Sequence, residues 1–402
     1  MLEEATNPLA LWLSARELAS FEPGLEVVIR QWATRIHSEN DTLLTELFAQ
    51  LLKESAELEG NEKLIAYDAR SVPTAALSSA FRKRLDGRRK TKPTSGKPQW
   101  LVKTPFDPSA FNFQRVHARE KLLKLQVSTG RYYLLPNRYP LFACHLLLVA
   151  EELQPQQMNP AHISAVVELV SGCSFCAYFN SWTGGASVNH FHCHIIGEQP
   201  PIAARPLVDG PMMSDAKRCL IPEGFPGLCY VFEHSKANTV HAAVSAMQEE
   251  DTAHNLLFTA THVYIFPRPA AEAGAPAIRR AREIYPENMG GPELIGSFTL
   301  YDDELYTSFT EEHASEAVRL STAPLPSSVL QPAGPASAVD QANEARAAAA
   351  HAQRELREER QRADALEADR DRLAAENAAL VAEVDRLRKM VDWVRDDGVG
   401  VT

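Results

Sequence analysis

The chain has 402 residues, 45% of them hydrophobic and 23% charged, a balance that suits a folded body with a sizeable core plus an appendage and excludes a disordered chain. Its net charge of −11 excludes a broad basic surface, and with it duplex nucleic acid as the main partner, so an anionic substrate must be met by locally clustered Lys and Arg. No apolar run approaches the roughly 20 residues that span a bilayer. The start, Leu9 to Leu13, is flanked by Glu3, Glu4 and Glu17 rather than by a basic leader segment.

In chain order, residues from about 10 to 58 read as helical: Leu43, Leu44, Leu47, Phe48, Leu51 and Leu52 recur at helical spacing after the cap signal Asn40-Asp41. From about residue 63 the pattern shifts to short strands and turns. Residues 82 to 103 concentrate positive charge: Arg82, Lys83, Arg84, Arg88, Arg89, Lys90, Lys92, Lys97 and Lys103, broken only by Asp86. This is either a solvated loop or a collar for phosphate groups. Strands follow at Arg131 to Leu135 and Cys144 to Ala150, around a turn at Pro136 to Pro140. A helix is expected from about Pro160 to Ser171. Further strands are expected at Cys176 to Asn180, His190 to Ile196, Leu228 to Phe232 and Val263 to Phe266. The six cysteines (Cys144, Cys173, Cys176, Cys193, Cys219 and Cys229) lie mostly in apolar stretches and read as buried thiols in a reducing cytoplasm. Cys173 and Cys176 form a CxxC with no second pair, which favours a structural reading over zinc or redox chemistry.

Near residue 320 the composition turns to Pro, Ser and Ala, a linker over 321–339. Beyond it Leu366, Leu373, Leu380 and Leu387 recur every seven residues, with Ala363, Arg370, Asn377, Val384 and Val391 at the a positions. Leu at d, β-branched residues at some a positions and one Asn at a predict a parallel two-stranded coiled coil over 340–395. Such a helix is about 80 Å long at 1.5 Å per residue. A solitary solvated helix is the plainer alternative. The stretch 340 to 362 mixes Glu with Arg, so it is not the basic arm of a leucine-zipper DNA binder.

The chemistry concentrates in Phe179-Asn-Ser-Trp-Thr-Gly-Gly-Ala-Ser-Val-Asn-His-Phe-His-Cys-His. On a strand, alternate side chains share a face, so His190, His192 and His194 line one side and Phe191, Cys193 and Ile195 pack on the other. The preceding loop offers Gly184 and Gly185, whose backbone N–H groups can approach a phosphate, and the Ser187 hydroxyl. Two chemistries suit this pattern. Three histidines could bind a metal, as in the cupin alternation, with Gly184 before and Glu198 after; Glu198 lies late for that pattern and the surroundings are not all-β. Alternatively, a neutral imidazole attacks phosphorus, and donors neutralise charge on the phosphoryl oxygens.

The phrase FNSWTGGASVNHFHCH (Phe179 to His194) resembles the histidine-triad superfamily signature. Together with PFDPSAFNFQRV (Pro105 to Val116), it resembles the GDP-hexose phosphorylase branch. GRRKTKPT (Gly87 to Thr94), AHNLLFT (Ala253 to Thr259) and the acidic-aromatic stretch before Thr310-Glu-Glu are weaker echoes. The resemblance covers roughly residues 60 to 320. It implies that His192 is the nucleophile that carries the nucleotide and that His190 orients it through its ring hydrogen bonds. Asn180, Ser187 and His194 would hold phosphates together with the Gly184-Gly185 loop, and His145 would lie near the nucleoside. Arg88, Arg89 and Lys90 are the basic residues nominated for the nucleotide. The implied reaction is phosphorolysis of a nucleoside diphosphate hexose, with no metal or other cofactor. Trp182-Thr183 stands where Leu-Gly is expected, and His194 is kept where part of the branch has glutamine. A related nucleotidyltransferase or hydrolase acting on a dinucleoside polyphosphate or adenylyl donor, and a non-catalytic nucleotide-binding scaffold, are the alternatives.

The expected architecture is therefore α+β: a helical segment at 1–60, a histidine-triad-like antiparallel sheet with flanking helices at 61–320, the linker, and the coiled coil. The expected protein is a cytoplasmic homodimer joined through the coiled coil, with a nucleotide sugar and phosphate as partners and neither nucleic acid nor membrane.

Overall fold

The structure, a computed structural model, describes residues 10–11, 48–49, 51–53, 55–59, 63–91, 101–116, 120–127, 129–171, 174–215, 217–269 and 276–330. The chain divides into two units, Met1–Gln331 and Pro332–Thr402. The expected coiled coil at 340–395 lies outside the described residues, as do Lys92, Lys97, Cys173 and most of segment 1–60.

Among the described residues the first unit is built on an eleven-stranded antiparallel sheet. Its first half holds β4 (Leu123–Val127), β5 (Gly130–Pro136), β6 (Leu146–Ala150), helix α1 (Pro160–Val170), β7 (Cys176–Asn180) and β8 (His192–Ile196). Its second half holds β9 (Leu207–Met212), β10 (Arg218–Pro222), β11 (Tyr230–Glu233), helix α2 (Ala237–Glu249), β12 (His254–Phe258) and β13 (His262–Pro267). The halves repeat one topology. Spatial order runs β4-β5-β6-β8-β7 in the first and β9-β10-β11-β13-β12 in the second, and they join edge to edge through β7 and β12.

Strand alternation divides the residues between two faces. Ala177, Phe179, Phe191, Cys193, Ile195, Leu256 and Ile265 bury themselves with Ile163, Val166 and Leu169 of α1 and Val240, Val244 and Met247 of α2. This cluster excludes water beneath the whole sheet, the main favourable term in folding. Opposite, Cys176, Tyr178, Ile196, Leu257, Tyr264 and Phe266 pack with residues of α3 (Pro276–Ile284), α4 (Gly291–Leu294), β14 (Ser297–Leu300), α5 (Asp303–Ser308) and α6 (Glu311–Leu320). A smaller sheet, β2 (Thr74–Ala76), β3 (Arg82–Leu85) and β14, contributes here, and its β3–β14 pair is parallel.

Helix α1 begins where Asn159 caps it, its side chain accepting from His162 N–H at 2.8 Å, with Pro160 in the first turn. Residues 48–49, 51–53 and 55–56 are helical as expected. Ala10 and Leu11 are not: they form a short strand, β1, paired with Gln126 and Leu125 of β4. An edge strand needs only backbone partners, so helical side-chain spacing around it does not betray it. Residues 321–330, the first part of the expected linker, pack on the body. Leu325 and Val329 are buried in the core, Leu330 bridges Met213, and the Val329 carbonyl accepts from Ser214 N–H. Pro324 and Pro326 thus stiffen a strap on the body. Of the described cysteines, Cys176, Cys193, Cys219 and Cys229 are buried and Cys144 is half-buried. No helix among the described residues is long and apolar enough to cross a membrane.

Candidate functional site

The register of the sheet assembles the site. His194 stands between Leu147 of β6 and Tyr178 of β7, and His192 faces Val149. Beyond the Tyr178–His194 pair β7 and β8 part, the Gln156 amide bridging the carbonyls of Asn180 and His192, and Asn180 is itself paired with Asn255 of β12. A polar row thus crosses the seam between the two halves, on the face opposite α1 and α2. Apolar neighbours flank it: Leu135, Leu147 and Val149 on one side, Tyr178, Leu257 and Phe266 on the other.

His192 is buried, and its Nδ1 lies 2.8 Å from the His190 carbonyl. A carbonyl only accepts, so Nδ1 carries the proton and Nε2 carries the lone pair. Phe113 lies against the same ring, centroids 5.0 Å apart. His190 serves differently from what the resemblance implied. Its Nδ1 accepts from Phe113 N–H at 3.2 Å and its Nε2 donates to the Glu152 carbonyl at 3.0 Å. Both ring nitrogens are spent on backbone groups, and burial lowers its pKa. It therefore orients His192 through its main-chain carbonyl, while its ring ties the PFDPSAFNF segment to the strand.

His194 stacks on Tyr178, centroids 4.3 Å apart and planes 3° from parallel. Its Nδ1 is 2.9 Å from His145 Nε2. His145 is fully buried and its Nδ1 accepts from Leu141 N–H at 3.0 Å, which puts the His145 proton on Nε2, donated to His194. The proton of His194 then sits on its Nε2. His145 thus backs His194.

The glycine loop is held from behind. Asn180 Oδ1 accepts from Asn255 Nδ2 at 2.7 Å and from Gly291 N–H at 2.9 Å. The second Asn255 amide hydrogen reaches the Gly184 carbonyl at 2.8 Å. Gly185 has φ +114°, a conformation open to glycine and strained for other residues. It faces Gly290 and Asn288. Ser187 is exposed at the loop's outer end.

Among the described residues the basic run does not close into one collar. Arg82 and Arg84 both pair with Glu198, each over the Phe142 ring. Lys83 donates to the carbonyls of Tyr306 and Phe309. Arg88 pairs with Asp86 and stacks on Tyr67, and Lys90 lies 3.7 Å from Asp302 at the surface. Arg89 turns inward, donating to the Tyr139 carbonyl at 3.0 Å. Among the described residues no group of three or more His, Cys, Asp or Glu is arranged to hold a metal ion.

Three residues escaped the sequence reading. Gln156 is fully buried and staples the point where β7 and β8 diverge. Its Nε2 donates to the carbonyls of Asn180 and His192, both at 2.9 Å, and its Oε1 accepts from His192 N–H at 2.8 Å. Asn255 sits inside the AHNLLFT phrase without having been singled out. Arg268 donates through Nη1 to Asn255 Oδ1 at 3.1 Å and to the Met289 carbonyl at 3.0 Å.

The described residues thus combine a mixed α/β body with a row of histidines beside a glycine loop. Residues 47–196 match the family described as the GDPGP1-like N-terminal domain. Among curated proteins, the chain is similar to GDP-D-glucose phosphorylase 1 of Bos taurus (29% identical over 181 residues, 39% of this chain and 46% of that protein). The same-named protein of Danio rerio is 27% identical over 253 residues, covering 56% and 71%. That of Homo sapiens is 34% identical over 106 residues, covering 23% and 28%. The matched segments thus span under half of the cattle and human relatives and about seven tenths of the zebrafish one. Among solved structures, yeast Ap4A phosphorylase Apa2 in complex with Ap4A aligns with a TM-score of 0.48 at 15% identity, over 71% of this chain and 97% of that one.

Proposed function

We propose that this chain is a nucleotidyl-transferring phosphorylase that converts a nucleoside diphosphate hexose and phosphate into a nucleoside diphosphate and a hexose 1-phosphate. GDP-glucose is the first substrate to try, because the curated relatives carry the name GDP-D-glucose phosphorylase. One observation carries the reading: the bond from His192 Nδ1 to the His190 carbonyl, which makes Nε2 the nucleophilic nitrogen.

In the first step the Nε2 lone pair attacks the α-phosphorus. An N–P bond forms as the bond to the bridging oxygen breaks, and hexose 1-phosphate leaves with that electron pair. In the second step an oxygen of inorganic phosphate attacks the same phosphorus. The N–P bond breaks, nucleoside diphosphate departs, and Nε2 recovers its lone pair. A phosphate monoester is a good leaving group, so stabilisation of the phosphoryl oxygens matters more than proton donation. The donors for this are His194 Nε2–H and the Gly185 amide, the Gly184 amide being taken by the Ser181 carbonyl at 2.9 Å, joined by Asn180 Nδ2, the end of that side chain left over once Oδ1 has accepted from Asn255 and Gly291. Gln156 and the His145–His194 pair keep these groups in register.

The test is incubation of the purified protein with GDP-glucose, other nucleoside diphosphate hexoses and a dinucleoside polyphosphate, with and without phosphate, products being separated by chromatography. Phosphate-dependent release of nucleoside diphosphate and hexose 1-phosphate is expected, and His192→Ala should lose on the order of a thousandfold in rate. Nucleoside monophosphate formed without phosphate would replace this reading with a hydrolase.

A further inference from the structure

Arg268 follows β13 at the outer end of the polar row. Strand alternation puts it on the same face as Phe266, which pairs with Asn255, so it shares the face of His192. Both of its hydrogen bonds to described residues run through Nη1, to Asn255 and to the Met289 carbonyl. Nε is shut away from solvent and has no hydrogen-bond partner among the described residues. Guanidinium geometry places Nε–H and one Nη2–H side by side on the edge facing away from Nη1, the fork that grips two oxygens of a phosphate.

The charge acting on Arg268 is that of Glu293. The oxygens of Glu293 are taken by Gly290 N–H at 2.8 Å and the Tyr285 hydroxyl at 3.1 Å. Burial pulls the Arg268 pKa down to about 10, as it does for a cation whose surroundings do not fully compensate it. The Met289 carbonyl it holds directly precedes Gly290, the residue packed against Gly185. Its guanidinium is therefore linked to the glycine loop through Asn255 and through the Met289–Gly290 turn.

We propose that the Nε–Nη2 edge of Arg268 binds the second phosphoryl group, the one that leaves as hexose 1-phosphate and the one that arrives as inorganic phosphate. This rests on the phosphorylase reading. Strand spacing separates the roles: Asn255 lies two strands from His192, about 9–10 Å. A group touching Asn255 is too far out for the phosphorus under attack, which must come within roughly 3–3.5 Å of Nε2. In a double displacement, leaving group and incoming acceptor both depart from and approach the phosphorus opposite nitrogen. One subsite therefore serves both half-reactions. Asn255 aligns this arginine with the loop, since its carbonyl end takes Arg268 and its amino end takes Asn180 and Gly184.

The experiment pairs binding with kinetics in wild type, Arg268→Lys, Arg268→Gln and Arg268→Ala, each first checked by thermal melt. Inorganic phosphate and pyrophosphate are titrated by calorimetry, and initial rates with GDP-glucose are measured against phosphate. The expected results are binding weakened about thirtyfold in Arg268→Gln, a KM for phosphate raised by a similar factor, and partial rescue of Arg268→Ala by added guanidinium. Unchanged phosphate affinity in a folded Arg268→Gln protein overturns the proposal, as does a wild type that binds neither anion. A wild type that binds phosphate through Arg268 yet cleaves no nucleotide sugar leaves the subsite standing and removes the phosphorylase reading instead.

Discussion

Each histidine of the region owes its role to its hydrogen-bond partners. His192 and His194 present Nε2 atoms of opposite kind, one a lone pair and one an N–H, because their Nδ1 atoms meet a carbonyl and a donating imidazole respectively. Two other histidines sit beneath the sheet. His162 stacks on Phe191 and bonds Tyr132 and Gln154, and burial lowers its pKa to about 3; His254 is fully buried and lowered to about 4. Both stay neutral in the folded protein well below 6.5, where the unfolded chain becomes protonated. Their stabilising contribution is complete above pH 6.5 and is lost as pH falls toward the folded values, at up to about 1.4 kcal/mol per pH unit for each. Urea melts between pH 7.5 and 4 should show this slope, and His162→Gln should flatten it by roughly one histidine's share; an unchanged slope would mean His162 titrates normally. The alternating histidines were legible in sequence because a strand's period of two is enough to place them. Gln156 and Asn255 were not, since they join the site from sequence positions 36 residues before His192 and 75 after Asn180. Tertiary folding alone makes those neighbours.

At the level of elements, two double-glycine turns converge on Asn180. Gly184-Gly185 ends the loop after β7, and Gly290-Gly291 opens α4. A methyl group on Gly291 would stand 2.6 Å from Tyr178 Cδ2 and 2.7 Å from Asn180 Oδ1. It would push the ring that stacks on His194 and the amide that holds the loop in one stroke. Gly291→Ala should cost about 1–3 kcal/mol in stability by overpacking and lower kcat by roughly tenfold or more; a melt and steady-state rates check both, and wild-type kcat would show that the turn is not coupled to the row. Buried strands such as Cys176–Asn180 were readable because they are apolar up to their last residue. β9 and β10 were not, since β9 contains Asp209, Gly210 and Pro211 and β10 ends in Pro222. Composition likewise mistook the strap at 321–330 for linker, because prolines mark both.

Across the whole molecule, the repeated half-sheets are unequal partners. The first carries the histidine row, while the matching strand of the second, β13, presents Tyr264 and Phe266 on that face. The second half instead supplies Asn255 and Arg268, and the elements after it supply Gly291. The coiled coil expected beyond the linker predicts that removing residues 336–402 halves the mass seen by light scattering while leaving this row intact; an unchanged mass would refute pairing through that segment. The seam predicts more. A fragment of residues 47–196, the part that matches the family model, retains all three histidines and the glycine loop. It loses every partner of Asn180 Oδ1 and leaves β7 an open edge, with Phe179 and Tyr178 uncovered where β12 had paired. Unpaired apolar edge strands associate with one another. The fragment should therefore aggregate or stay partly unfolded, by scattering and near-ultraviolet circular dichroism, and should form no nucleotidyl-histidine. Co-expression with residues 197–331 should restore both solubility and labelling of His192. A soluble, active fragment would show that the row needs nothing from the second half, and that the Asn180–Asn255–Arg268 chain is dispensable.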